Sequence, residues 1–201
     1  QYQAVEFAGP AVQALSMAER MTLSNMSAEM GAQAGLIAAD ETTLNYLRGV
    51  GVDPAHLAGA EQWHTDEDAE YEQHTFDAFT LSPQVAAPHS PANTRDVAEF
   101  ANVQPNIAYI GACTGAKLED LRAAASVLKG QRVAAGVQLM VAPASAREQA
   151  QATQEGVMQI LQDAGATLLP NSCGACAGYG ATFPEGATVV STTARNFKGR
   201  M

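Results

Sequence analysis

Positive charge is scarce in this sequence. Eleven Lys and Arg stand against 21 Asp and Glu over 201 residues, a formal net charge of −10. A chain so acidic lacks the basic field that a nucleic-acid partner requires. Long apolar runs are missing too: nothing approaches the ~20 residues of a membrane span, and no basic-then-apolar leader opens the chain, so no membrane partner is expected. Cysteine is rare and odd in number, three in all. That argues against a disulfide framework and for a reduced, cytoplasmic compartment. An initiator methionine is also lacking: the chain starts at Gln1 and stops at Met201 just after a basic turn, so a piece of a longer polypeptide is expected. What is present suffices for a core, with 47% hydrophobic and 16% charged residues. The length allows one large domain or two small ones.

The two halves differ in pattern. Up to about residue 65 the periodicity predicts helix. Ser16 and Glu19 match a capping box, with Leu23, Met26 and Met30 following at helical spacing. Asp40 reads as the N-cap of a helix over 41–48, stopped by Gly49. The acidic run of Asp66, Glu67, Asp68, Glu70 and Glu72 has no ordered ligand spacing and predicts a solvated loop. Pro83, Pro88 and Pro91 then predict an extended connector, so residues 1–95 are separated from 96–201. From about 105 strands and helices alternate: strand 106–110, helix 118–128 ending at Gly130, strand 137–142, helix 146–164 stopped by Gly165, and strands 167–169 and 188–191. This order predicts an α/β fold, a parallel sheet with helices on both faces.

In such sheets ligands bind outside the carboxyl ends of the strands. The first strand runs into Gly111-Ala112-Cys113-Thr114-Gly115-Ala116-Lys117. The third leads to Asn171-Ser172-Cys173-Gly174-Ala175-Cys176, and the fourth to Arg195 and Arg200. All three cysteines and both arginines therefore leave strands at one edge. Three thiols on Gly-rich loops suit a soft metal or an iron–sulfur cluster, and guanidinium forks suit carboxylates. Two other readings stand beside this one. A closed zinc site would take His89 or His74 as a fourth ligand. A thiol–disulfide pair at Cys173 and Cys176 would leave Cys113 without a role. Shared ligation of one cluster further predicts that the strand before Cys113 neighbours the strand before Cys173.

The run 110–117, the Cys173-Gly-Ala-Cys176 pair sixty residues on, and the 194–200 loop together resemble the motifs of the aconitase superfamily. Val5-Glu6-Phe7, Arg20-Met21-Thr22 and Pro88-His89-Ser90-Pro91 resemble its flanking segments. The similarity runs over essentially the whole chain and is strongest to the branch of 3-isopropylmalate dehydratase and homoaconitase-like large subunits. It implies a [4Fe-4S] cluster on Cys113, Cys173 and Cys176, with an open iron for the substrate hydroxyl. It also implies carboxylate contacts from Arg195 and Arg200, further substrate contacts from Thr114 and Lys117, and a catalytic Glu6 near the hydroxyl or water. The implied reaction is reversible removal of water from a hydroxy di- or tricarboxylic acid. The implied partner is a small, swivelling subunit or domain that supplies the base. Three positions depart from the family pattern: Gly115 stands where Asn is common, Lys117 where Arg is frequent, and Ala194 where Asn precedes the arginine. They leave citrate, isopropylmalate, homocitrate and methyl-substituted malates open as substrates.

Overall fold

The computed structural model describes residues 2–179, 183–193 and 195–200. It divides into two compact units, with the break between Leu81 and Ser82.

The first unit begins with β1 (Ala4–Glu6) and the short α1 (Pro10–Gln13), followed by α2 (Met17–Met26), β2 (Ala34–Leu36) and α3 (Glu41–Gly49). The expected capping box forms: Ser16 N–H donates to Glu19 Oε2 at 2.8 Å, and Glu19 N–H to Ser16 Oγ at 3.3 Å. Asp40 caps α3 by accepting from Thr43 N–H. The same carboxylate binds both arms of Arg20, at 2.5 and 2.7 Å. Arg20 is only 2% exposed, and its other donors go to the Leu15 and Gln13 carbonyls. One buried guanidinium thus joins the starts of two helices. The helical expectation for this half is incomplete, because β1 and β2 pair as parallel strands. Each is three residues long, too short to display a period of two. Residues 66–72 are exposed throughout, as a solvated loop requires.

The second unit opens with a hairpin of β3 (Gln84–Ala86) and β4 (Thr94–Asp96). The unit boundary precedes the Pro-rich connector because the connector is itself held in place: Asn196 Nδ2 donates to the Ala86 and Ala87 carbonyls at 2.9 and 2.5 Å. After the hairpin come β5 (Ile107–Gly111), α4 (Leu118–Leu128), β6 (Gln138–Ala142), α5 (Ala146–Gln154), α6 (Val157–Asp163), β7 (Thr167–Leu168) and β8 (Val189–Ser191). Four strands form a parallel sheet in the order β7-β6-β5-β8, so the α/β class holds. The expected helix over 146–164 is two helices, broken at Gly156, whose φ of +74° is a left-handed turn.

The layers differ from the expectation of helices on both faces. Helices α4, α5 and α6 all pack on the face of Leu139 and Val141, around Leu121, Ala125, Ala152, Met158 and Leu161. Handedness explains this. From β5 to β6 to β7 the chain steps one way across the sheet, and right-handed crossovers keep both connections on one face. From β7 to β8 it steps back past β6 and β5, so the same hand sends that connection over the opposite face. There Ala175, Cys176 and Leu169 cover Ile107, Tyr109, Met140 and Ala142.

Leu161 is fully buried. Leu161→Ala should cost about 2–5 kcal/mol, read from denaturant unfolding of the second unit. Asp40 makes a pH prediction. Arg20 holds its carboxyl below the ordinary range, so its stabilisation is complete above the unfolded-state pKa and lost as pH falls through the folded one. Asp40→Asn should weaken the first unit at neutral pH and flatten its loss of stability below about pH 4.

Candidate functional site

Parallel pairing puts the ends of β5, β7 and β8 at one edge, and the three chemistry-bearing loops begin there. Cys113 is exposed, two residues beyond β5. Cys173 is exposed on the loop after β7, and Cys176 is buried in the short 3₁₀ turn Ala175–Ala177. All three are free thiols. Burial raises the Cys176 pKa most, and the charges of Cys173 and then Cys113 raise it further, whereas Arg200 and the Tyr109 hydroxyl lower it. Each of the other two cysteines therefore lies within electrostatic reach of Cys176. Among the described residues no three His, Cys, Asp or Glu side chains close around the position of a single metal ion.

The strands leading to Cys113 and Cys173 are not neighbours. β6 lies between β5 and β7, which corrects the expected adjacency. The loops still converge, because the connection after β7 returns across the face that carries Tyr109 and Met140.

Both arginines hold on to cysteine residues. Arg195 Nη1 is 4.0 Å from Cys113 Sγ, and Arg200 Nε donates to the Cys176 carbonyl at 2.7 Å. The backbone of His89 bridges to Phe197 in the same loop. Ala194 lies outside the described residues. Thr114 is half-buried and Lys117 buried, both in the turn between Cys113 and α4. Two carboxylates fix that turn: Asp120 Oδ2 accepts from Lys117 N–H at 2.9 Å, and Glu148 Oε2, reaching over from α5, accepts from Leu118 N–H at 2.6 Å. Glu6 ends β1 in the first unit, exposed, and accepts a hydrogen bond from the Thr65 hydroxyl. His74, in the same unit, pairs with Glu72 at 3.2 Å.

Two residues of the site went unnoticed in the sequence. Thr192 Oγ1 accepts from Gly111 N–H at 3.1 Å and lies 3.1 and 2.8 Å from the Gly111 and Gly115 carbonyls. One hydroxyl thus clips both sides of the Cys113 turn. The departure at residue 115 has a local reason: a Cβ there would fall 2.5 Å from that hydroxyl oxygen. Tyr109 is 1% exposed. Burial, and secondly the neighbouring Cys176, push its phenol up to about 12, so it stays protonated at neutral pH. A Gly two residues past a buried Tyr in a strand was the available signal, since strand glycines mark close approach.

Comparison with known proteins defines the class. Residues 2–201 match the Aconitase family (aconitate hydratase), and the chain belongs to that family. It is 41% identical over 202 residues to a 3-isopropylmalate dehydratase large subunit of Oleidesulfovibrio alaskensis, covering all of this chain and 47% of that protein. It is 44% identical over 202 residues to a probable methanogen homoaconitase large subunit of Methanosarcina mazei, covering all of this chain and 50% of that one. A 3-isopropylmalate dehydratase large subunit from Archaeoglobus fulgidus is 41% identical, with 99% and 47% covered. The chain spans about half the length of these relatives.

The clip is testable without any ligand. Thr192→Val removes every hydrogen bond of that hydroxyl and should cost about 1–3 kcal/mol, with faster amide exchange over 111–117. Thr192→Ser should retain most of the protection.

Proposed function

We propose that this chain is the cluster-bearing part of an iron–sulfur hydro-lyase large subunit. Its reaction would be the reversible dehydration of a hydroxy di- or tricarboxylic acid of the 3-isopropylmalate type. The observation that carries this reading is the convergence of three free thiols and two arginines at one sheet edge. The donor set fits a [4Fe-4S] cluster: all sulfur, on loops of small residues, with Cys113 and Cys173 each within electrostatic reach of Cys176. Cys113, Cys173 and Cys176 would hold it. Three thiolates leave one iron of a cubane without a protein ligand, and such an iron supplies Lewis acidity towards a hydroxyl. In this reading residues 96–201 are the cluster-bearing α/β part, and 1–95 belong to the preceding domain and connector.

The chain's own residues bind and orient the acid. Arg195, beside Cys113, grips one carboxylate with its forked donors. Arg200 spends one of five N–H groups on the Cys176 carbonyl, which fixes its guanidinium and leaves four donors for polar partners. Lys117 and Thr114 line the approach beside Cys113. Glu6 would act on the leaving hydroxyl, the role that the family resemblance implies for it. Removal of the C–H proton falls to a base on a partner, the small subunit that the large-subunit relatives imply.

The test is an assay of the full-length polypeptide with its small subunit on a panel of hydroxy acids, read against Arg195→Lys. Lysine keeps the charge but loses the two-pronged grip, so kcat/KM should fall more than tenfold, about 1.4 kcal/mol or more. Unchanged kinetics would remove Arg195 from the site. The 201-residue chain alone should not turn over, and measurable dehydration by it would contradict the need for a partner base.

A further inference from the structure

We propose that Tyr109 is a positioning residue of the cysteine site, whose hydroxyl serves as the hydrogen-bond donor to the Cys176 sulfur when that sulfur is a cluster-bound thiolate. The inference rests on the cluster reading above and names a residue that reading did not use.

Three observations carry it. First, the Tyr109 hydroxyl is buried and, among the described residues, has no hydrogen-bond partner at normal geometry, the Cys176 thiol being only close enough to perturb it, although buried polar groups are nearly always paired. Phenylalanine would fill the same space in β5 without stranding a donor, so the oxygen calls for a partner that the described residues do not supply. Second, the ring is aimed. Tyr109 and Gly111 share a face of β5, and a Cβ on Gly111 would fall 2.4, 2.5 and 2.6 Å from Tyr109 Cζ, Oη and Cε1. The ring therefore folds forward along its own strand through the space that glycine leaves, towards the end from which Cys113 departs. Third, Ala175 and Cys176 cover this same face and pack against Tyr109. The neighbouring thiol is a weak acceptor, and a thiolate ligand is a much stronger one. Converting Cys176 from thiol to metal-bound thiolate supplies the partner that the hydroxyl lacks.

A hydrogen bond to a ligand sulfur withdraws charge from the metal group, which raises its reduction potential and helps to fix its ligands. Tyr109→Phe removes one oxygen and its proton and nothing else. The experiment uses the full-length polypeptide, loaded anaerobically with iron and sulfide. Wild type should show an iron–cysteine stretching band in resonance Raman that shifts in deuterium oxide. In Tyr109→Phe that shift should be lost, the midpoint potential should move negative, and bound iron should be lost in air at least threefold faster. The deuterium shift is measured on wild type alone, so the proposal stays falsifiable if the variant folds poorly. A wild-type band insensitive to deuterium, or a loaded variant with unchanged potential and lifetime, overturns it. Failure of wild type to take up iron and sulfide at all overturns the cluster reading, and this inference with it.

Discussion

Every chemical feature of the second unit depends on β5 being paired on both sides by parallel strands. Pairing with β6 and β8 aligns the strand ends, so the turn after β5 and the loop after β8 begin side by side. The remaining cysteines come from further away. Their loop leaves edge strand β7 and must return past β6 and β5 to reach β8. A right-handed return is possible only over the face that the helices do not occupy. The hand of the crossovers thereby separates a helical face, which holds the fold, from a loop face, which carries Cys176.

The polar groups around the cysteines give that arrangement its rigidity. Thr192 closes the Cys113 turn from β8, and Glu148 closes it from α5 through the Leu118 amide. Asn196 joins the arginine loop to the β3–β4 hairpin. Each contact links segments far apart in sequence, and the first two hold the turn from the end of β8 and from α5. Such support is what a preorganised binding site needs, since a ligand shell left loose loses both geometry and affinity.

Where the sequence carried a strong local signal, it was legible. The helix 118–128, the Ser16 capping box and the Asp40 cap could be read because each is a local rule satisfied within a few residues. The four strands of the main sheet were readable as short apolar runs bounded by turn residues. The parallel pair β1–β2 was not, because three-residue strands carry no periodicity, and Gly156 broke a helix whose amphipathic pattern continues across it. Which face each helix covers, and the placing of β6 between β5 and β7, are properties of crossover connections and have no local signature. At the site, cysteines and arginines at strand ends stand out by chemistry. Tyr109 and Thr192 do not, since a Tyr in an apolar strand reads as core and a Thr after a strand reads as a turn.

Whether the three cysteines act together as the ligands of one polynuclear group is the central claim, and metal and sulfide content measures it most directly. After anaerobic loading of the full-length polypeptide, iron and acid-labile sulfide should each be bound at about four per chain, as a [4Fe-4S] group requires. Separate replacement of Cys113, Cys173 and Cys176 by serine should each sharply reduce both. One zinc per chain without sulfide, or iron and sulfide binding untouched by loss of Cys113, would contradict the account.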